Sequence, residues 1–326
     1  MLGDMNGVLV IDKPSGPTSH DVVARVRYLT GLKRVGHTGT LDPMATGVLP
    51  LVLGRATRLA RFVSTGAKYY QAKVRLGWAT DTYDLTGQPI TPPPGSVLTN
   101  ISRGKPDTTT KTEPLCSQAD IEAALENFRG VYNQQPPLFS AKRINGIRAY
   151  KLARKRVPVV PKSVSVTVHD LTLTSFQNNV VSLNILCSTG FYVRSLAHDL
   201  GRKIGCGAHL SSLRRIRSGD FGLDRAISLD EFEKNVESSI TACIPLEELL
   251  PSAPSIVLNV KIASRVAHGQ PISETDVEGQ LSFSSEITTS KNVPILTRVF
   301  GPDKNLLAIG EYSSYDRTLR PIVVLV

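Results

Sequence analysis

Several features of membrane, secreted and nucleotide-binding proteins are missing from the 326-residue sequence. No apolar segment approaches the ~18–20 residues that a membrane-spanning helix needs. Residues 1–7 contain no basic patch followed by an apolar stretch, so we expect no secretory signal. No Gly-rich phosphate loop of the Walker or Rossmann type occurs between a strand and a helix. We therefore expect a soluble, cytoplasmic protein without a nucleotide cofactor.

Cysteine is scarce and scattered. The four cysteines lie at 116, 187, 206 and 243, a spacing that does not match a disulfide framework and favours a reducing compartment. Cys206 and His209 are spaced like half of a zinc site, but no second pair completes it. We predict no bound metal.

Acidic residues are outnumbered, which points to a polyanionic partner. Lysine and arginine total 38 against 28 acidic residues, a net charge of +10. Nucleic acid is the usual partner of such a protein, and a generic basic surface is the alternative. Segment 142–162 has eight basic residues and no acidic one. Such a segment can be a solvated helical face, but its self-repulsion favours phosphate binding.

The hydrophobic periodicity predicts both helices and strands. A strand at 7–12 precedes a helix whose N-cap is in 18–21, and further helices are expected at 56–62, 118–128 and 192–204. Period two places Tyr70 on the apolar face of a strand from residue 69, and 164–174 with 180–187 predict a hairpin. We interpret 92–114 as a long flexible loop, 228–250 as an acidic helical connector and 251–254 as a domain boundary.

The most informative segment is Gly36-His37-Thr38-Gly39-Thr40-Leu41-Asp42-Pro43. Proline disfavours the helical conformation for Asp42, and the glycines permit a tightly packed loop. Such a loop can hold one carboxylate rigidly. Arg194 lies at the edge of the buried stripe of the predicted helix 192–204, where an arginine usually needs a carboxylate partner.

Residues 36–50 resemble motif II of the TruB family, the bacterial-type tRNA pseudouridine-55 synthases. Other segments resemble further motifs of this family in the expected order: 7–16 its opening strand and turn, 68–84 its tyrosine motif, 134–150 its RNA-clamping insertion, 190–196 its arginine motif, and 205–215 the segment that follows. Residues 267–272 resemble part of its PUA-like domain, which is a weaker match.

The resemblance implies an α+β fold with two domains. Residues 1–250 would form a pseudouridine synthase catalytic domain, with a mixed, largely antiparallel central sheet flanked by helices. The RNA-clamping insertion would span about 132–162. Residues 251–326 would form a small PUA-like β-barrel that binds RNA.

The resemblance also implies the reaction, which isomerises uridine to pseudouridine at position 55 in the T loop of tRNA without a cofactor or metal. Asp42 would be the catalytic carboxylate, acting as nucleophile or base. Arg194 would pair with Asp42, orient it and lower its pKa. Tyr70 would stack on the uracil and is a candidate for C5 proton transfer. Taken alone, Tyr70 is equally well explained as a core tyrosine.

Substrate-binding roles are implied for four more residues: His37, Arg58, Tyr192 and Leu213. His37 would help to occupy the space of the flipped base, although a lone histidine in such a loop is more often structural. Tyr192 and Leu213 taken alone also suit a core. The candidates for contacts to the RNA backbone are Lys142, Arg143, Arg148, Lys151, Arg154, Arg214 and Arg215.

The expected partner is the T loop and T stem of tRNA, and we expect a monomer. An alternative is an RNA-binding or tRNA-remodelling protein whose role does not depend on catalysis. A guide-RNA-dependent synthase is a third possibility, against which the clamping insertion and the missing basic tail argue. Two departures from the family pattern are the long segment 92–114 and Arg58, where many relatives carry lysine.

Overall fold

The computed structural model describes residues 5–90, 115–140, 142–144, 146–155, 157, 159–277 and 294–326. The predicted flexible loop at 92–114 lies outside the described residues. The helices are α1 (Ser19–Thr30), α2 (Ala60–Val63), α3 (Gln118–Leu125), α4 (Ala149–Arg154), α5 (Val193–Ile204), α6 (Leu229–Lys234), α7 (Val236–Ile240) and α8 (Val260–Ala267).

The strands as far as residue 218 are β1 (Gly7–Lys13), β2 (Val35–His37), β3 (Thr46–Leu53), β4 (Lys68–Leu76), β5 (Ala79–Thr80), β6 (Pro89–Ile90), β7 (Gly130–Gln134), β8 (Arg143–Ile144), β9 (Ile147–Arg148), β10 (Val164–Gln177), β11 (Val180–Cys187) and β12 (Ala208–Ser218). The later strands are β13 (Phe221–Gly222), β14 (Ile227–Ser228), β15 (Ile244–Pro245), β16 (Ser255–Val257), β17 (Ile272–Ser273), β18 (Ile295–Phe300), β19 (Leu306–Ser313) and β20 (Thr318–Val324).

An 11-stranded mixed sheet forms the centre of the protein. Its main path runs β14-β1-β3-β12-β4-β11-β10-β7, and β2, β13 and β15 pair at its side. The pairs β1–β14 and β3–β12 are parallel and the other pairs are antiparallel. Strand β4 lies between β12 and β11, so its apolar face, with Tyr70, is at the middle of the sheet.

Local sequence signals explain several elements. Helix α1 begins with a capping box, in which Thr18 and Asp21 each accept the other's backbone N–H. The predicted hairpin is confirmed as β10 and β11, and Asn178 and Asn179 adopt positive φ at its turn. The alternating burial of β4 is also as predicted.

Two sequence-based predictions need correction, and the sequence does not reveal one central strand. Segment 56–62 is a 3₁₀ turn from Gly54 to Leu59 followed by the short α2, rather than one helix. The connector 228–250 is helical only in α6 and α7, after which it forms β15 and a 3₁₀ turn. No strand was predicted at 208–218, yet β12 is a central strand of the main sheet.

A second, five-stranded sheet, ordered β16-β18-β19-β20-β17, forms the C-terminal part. Its apolar side chains Leu306, Ile309 and Val323 join one buried cluster with Val8 and Val10 of the main sheet. The C-terminal sheet is therefore packed against the central sheet through a shared core. In the described part of the chain, no helix is both long enough and apolar enough to span a membrane.

Candidate active site

The loop that carries Asp42 is fixed to its surroundings by hydrogen bonds on both sides of the carboxylate. The Ser19 hydroxyl donates to the Leu41 carbonyl at 3.0 Å and accepts from the Leu41 N–H at 2.8 Å. The buried Lys13 ammonium donates to the Pro43 carbonyl at 3.2 Å. These contacts hold the backbone of Asp42 in one place before any substrate binds.

Gly47 shows why this motif contains glycine. It pairs with Arg215 across β3 and β12, with φ +102°. A β-carbon at this position would lie 2.1 Å from the Arg215 carbonyl oxygen. Only glycine permits both this backbone conformation and this close approach of the two strands.

Asp42 and Arg194 form a two-pronged ion pair. Arg194 Nη2 donates to Asp42 Oδ1 at 2.8 Å, and Arg194 Nε lies 2.8 Å from Asp42 Oδ2. The guanidinium is 6 % exposed, whereas the carboxylate is 29 % exposed. The structure thus brings together the carboxylate and the arginine that the resemblance implied, with the carboxylate on the accessible side.

Asp84 is a member of this site to which no role was assigned from sequence. Its Oδ2 lies 3.6 Å from Arg194 Nη1, and its Oδ1 accepts hydrogen bonds from Thr82 and Thr86. Arg194 also donates to the carbonyls of Thr82 and Phe139 at 3.1 and 2.9 Å. The arginine is therefore held from four directions. Asp84 lies in the segment 68–84 that resembles the tyrosine motif, but the resemblance does not indicate its ion pair with Arg194.

The protonation of Asp42 is set by opposing effects. Burial raises the pKa of the Asp42 carboxyl above its ordinary value, and the Arg194 guanidinium acts in the opposite direction. The Asp84 carboxylate adds to the rise, since two like charges lie close together. The pKa of Asp42 is therefore raised, and not lowered as the sequence predicted, because the effect of burial is larger than that of Arg194. A poorly solvated carboxylate is a stronger base and nucleophile than one in water.

Tyr70 and Leu213 lie on neighbouring strands of the main sheet. Tyr70 is buried on β4, and Leu213 is buried on β12 opposite Ala72. Burial raises the pKa of the Tyr70 phenol, so this group is neutral at ordinary pH.

The segment Gln134–Ser140 joins the site from the base of the predicted clamping insertion. Gln134 exchanges two hydrogen bonds with the backbone of Tyr192, at 2.8 and 3.0 Å, where α5 begins. Burial raises the pKa of Tyr192. Tyr192 is half-buried and lies two residues before Arg194. Tyr83, whose φ is +64°, stacks on His198 one turn further along α5.

The other predicted substrate-binding residues occupy separate positions. His37 is half-buried at the end of β2, where it pairs with Leu51. Arg58 is exposed on the 3₁₀ turn that follows β3. Neither position decides the role that the resemblance implied.

Six of the candidates for RNA-backbone contacts are placed as follows. Lys142 is half-buried and donates to the Lys162 carbonyl at 2.8 Å, and Lys151 is exposed on α4. Arg214 forms an ion pair with Asp12 at 2.7 Å. The backbones of the other three belong to β8, β9 and α4: Arg143, Arg148 and Arg154.

The prediction for Arg215 is wrong. This side chain is 0 % exposed and lies inside the main sheet, so it cannot contact an RNA phosphate. It shares the buried face of β12 with Leu213, two residues earlier. Among the described residues, no three His, Cys, Asp or Glu side chains are grouped so that they could hold a metal ion.

Two sequence models of known protein families match consecutive parts of the chain. Residues 27–193 match the sequence model described as "TruB family pseudouridylate synthase (N terminal domain)", and residues 194–251 match "tRNA pseudouridylate synthase B C-terminal domain". A protein of Solibacter usitatus named "tRNA pseudouridine synthase B" is 43 % identical over 309 residues, which cover 94 % of this chain and 96 % of the relative.

The chain belongs to the TruB family. A Thermobifida fusca protein with the same name is 37 % identical and covers 98 % of both chains. These similarities confirm the family that the sequence motifs indicated, and they identify the chain as a pseudouridine synthase, an isomerase.

Solved structures show the same TruB-like fold at lower identity. "Structure of H/ACA RNP bound to a substrate RNA containing 2'-deoxyuridine" matches with a TM-score of 0.68 and 22 % identity, over 98 % of this chain and 85 % of that chain. "Crystal structure of the archaeal box H/ACA sRNP Nop10-Cbf5 complex" matches with a TM-score of 0.66 and 22 % identity, over 100 % and 88 % of the two chains. The expected α+β fold, with a mixed sheet and a C-terminal PUA-like sheet, is thereby confirmed.

Proposed function

We propose that this TruB-family enzyme isomerises uridine to pseudouridine at position 55 in the T loop of tRNA, with Asp42 as its catalytic carboxylate. The observation that carries this proposal is the two-pronged pairing of a partly accessible Asp42 with a buried Arg194. The relatives named "tRNA pseudouridine synthase B" support the choice of tRNA as substrate.

The reaction needs little more than this site offers. The N1–C1′ bond of the uridine breaks, the uracil turns, and a C5–C1′ bond replaces it. C5 then loses its proton and N1 takes up one, so that the product is an isomer of the substrate. Asp42 either attacks the sugar or removes a proton from it, and Arg194 keeps its oxygens oriented. Tyr70 stacks on the uracil and Leu213 forms an apolar wall. No step calls for a metal or an external energy source.

The target base has to leave its loop before it can reach Asp42. We propose that it flips into the space above Tyr70 and that His37 helps to fill the space it leaves. Flipping costs a few kcal/mol, which stacking in the pocket offsets. Tyr192, at the start of α5, and Arg58, on the exposed turn after β3, would contact the neighbouring nucleotides.

Binding of the folded tRNA is assigned to the basic segment and to the C-terminal part. We propose a catalytic domain over 1–250, in which the insertion at about 132–162 clamps the T stem and loop through its lysines and arginines. Residues 251–326 would form the PUA-like RNA-binding domain. The enzyme would act as a monomer.

The substitution Asp42→Asn tests the catalytic assignment. Purified protein is incubated with an unmodified tRNA transcript, and pseudouridine is mapped by reverse-transcription stops after carbodiimide labelling. We expect one modified site, in the T loop, which Asp42→Asn abolishes while tRNA binding persists. The control Asp230→Asn, on the exposed surface of α6, should leave the activity unchanged.

Three outcomes would contradict parts of the proposal. Turnover by Asp42→Asn would exclude Asp42 as the catalytic carboxylate. A modified site outside the T loop would exclude the proposed substrate position. tRNA binding without any modification by the unsubstituted protein would favour the alternative of a tRNA-remodelling protein.

A further inference from the structure

Arg215 is a buried cation for which neither the fold nor the proposed reaction has yet supplied a purpose. It is among the largest fully buried side chains of the protein. Its Nε donates to the Val48 carbonyl at 2.7 Å, and its Nη2 donates to the Gly39 carbonyl at 3.0 Å. Both acceptors are neutral backbone groups on either side of Asp42 in the sequence.

In the described residues, no carboxylate oxygen lies within 4.0 Å of an Arg215 nitrogen. A guanidinium removed from water without a paired anion carries a large desolvation cost. A leucine or methionine would fill the same space at a lower cost. An uncompensated charge at this position therefore calls for an explanation beyond packing.

The strand register places Arg215 directly beside Tyr70. The two residues are opposite partners in the antiparallel pair β12–β4, so their side chains project from the same face of the sheet. On its other side, Arg215 pairs with Gly47 of β3. One side chain thus donates to the Asp42 loop at Gly39 and to strand β3 at Val48, and it lies beside Tyr70 on the same face of the sheet.

The charges around Tyr70 are consistent with the position of Arg215 beside it. Burial raises the pKa of the phenol, whereas the positive charge of Arg215 lowers it. Cys187 on β11 and Asp42 in the loop act in the raising direction. Arg215 is thus the cation that acts on the phenol oxygen of Tyr70 from the neighbouring strand.

We propose that Arg215 is a positioning residue, which fixes the Tyr70 phenol oxygen relative to the Asp42 loop so that both face the same uracil. This inference rests on the proposed function, because it takes Tyr70 as the residue beneath the flipped base. Arg215 does not touch the substrate and acts through Tyr70 and Gly39. A displacement of about 1 Å between the two groups would cost about 100-fold in rate.

The test compares Arg215→Met and Arg215→Lys with the control Arg225→Met, which removes an exposed arginine. Single-turnover rates are measured with enzyme in excess, and tRNA dissociation constants are measured separately. We expect Arg215→Met to lower the rate about 100-fold with little change in tRNA affinity, and Arg215→Lys to recover about tenfold of this loss. If Arg215 had a purely structural role, its substitution would lower the rate, the tRNA affinity and the unfolding midpoint together.

A second readout does not depend on activity. With tyrosine labelled at the ¹³Cζ position, Tyr70→Phe identifies the Tyr70 resonance among those of the nine tyrosines. We expect the chemical shift of this resonance to change in both Arg215 variants. The resonances of the other tyrosines should not change with it. Should Arg215→Met fail to fold, Arg215→Lys alone decides the outcome through its rate and its spectrum.

An unchanged Tyr70 resonance in Arg215→Lys, or an unchanged rate in either variant, would overturn the inference. Failure of the proposed function looks different. If the unsubstituted protein modifies no T-loop uridine, or if Tyr70→Phe is fully active, the reaction assignment fails, while the resonance still reports whether Arg215 fixes the phenol.

Discussion

Arg194 is shared between two carboxylates, and this sharing distinguishes it from a simple counter-ion. Asp42 takes two of its nitrogens, and Asp84 approaches a third. A guanidinium has five N–H donors in a rigid plane, so it can serve both carboxylates and two carbonyls at once. An ammonium group has neither the reach nor the geometry for this. The identity of the residue matters here beyond its charge.

We predict that Arg194→Lys lowers the single-turnover rate at least about 100-fold while tRNA affinity changes little, because Asp42 loses its fixed orientation. Arg194→Met should in addition lower the free energy of unfolding by about 3–5 kcal/mol, because it leaves the buried Asp84 unpaired. Rates and urea unfolding curves measure the two effects. The exposed Arg202→Lys on the same helix serves as control, and a rate for Arg194→Lys equal to this control would refute the proposed pairing.

Lys68 carries a pH-dependent part of the stability. Its ammonium donates to the carbonyls of Ser64 and Gly66 and to the Thr189 hydroxyl. Burial lowers the pKa of Lys68 from 10.5 to about 8, and the charge of Arg215 adds to this. The unfolded chain therefore binds more protons than the folded protein between these two values. In this window, the contribution of Lys68 to stability rises with pH.

We predict that the free energy of unfolding of the unsubstituted protein rises relative to that of Lys68→Met between about pH 8 and about pH 10. The relative rise should be on the order of 3 kcal/mol. Urea unfolding at several pH values measures this, and most other titrating groups cancel in the difference. The exposed Lys73→Met on the same strand is the control. Parallel pH profiles for Lys68→Met and the unsubstituted protein would disprove a depressed pKa.

At the scale of elements, β12 shows what could and could not be predicted from the sequence. The hairpin β10–β11, the strand β4 and the helix α5 follow from clear periodicity and turn residues. In β12, arginines at 214, 215 and 217 obscure the alternation of apolar and polar residues, so the sequence predicts no strand there. Leu213 and Arg215 share its buried face. Sequence alone cannot show a buried arginine, because its acceptors are backbone carbonyls of distant segments.

The pairing of Asp42 with Arg194 was implied by the family resemblance, and the sequence also carries a physical reason for an ion pair. An arginine at the edge of a buried stripe needs an anion, and a carboxylate in a tight glycine loop needs a cation. The position of Asp84 was not predicted, because it depends on how the turn after β5 folds back toward α5. That turn includes Tyr83 in a conformation rare for tyrosine.

The start of α5 depends on the base of the insertion. Gln134 is buried and pairs with both backbone groups of Tyr192, and the Ser195 hydroxyl donates to the Gln135 carbonyl at 2.7 Å. We predict that Gln134→Ala lowers the free energy of unfolding by about 1–3 kcal/mol, because it leaves buried polar groups without partners. The single-turnover rate should fall as well, since Arg194 lies two residues beyond Tyr192.

Urea unfolding and single-turnover assays check this prediction against Asn133→Ala, which changes the exposed neighbour on the same strand. If Gln134→Ala is as stable and as active as Asn133→Ala, the base of the insertion does not hold the helix.

At the scale of the whole molecule, the charges are unevenly distributed along the chain. Segment 228–250 contains six acidic residues, and two of them pair with arginines, Arg25 with Glu233 and Arg225 with Glu248. Segment 142–162 has no acid of its own to neutralise its lysines and arginines. The net charge of +10 therefore understates the positive potential near the insertion.

This distribution predicts how tRNA binding responds to salt. A lysine that contacts a phosphate releases a counter-ion, so its loss lowers the slope of log K against log salt by about 0.7–0.9. We expect Lys151→Gln, on the exposed face of α4, to reduce the slope by about this amount and to leave the rate at saturating enzyme unchanged. Lys234→Gln removes an equal charge from the exposed surface of the acidic α6 and should leave the slope as it was. Equal slopes for the two variants would mean that tRNA responds only to net charge, and the insertion would then not be the clamp.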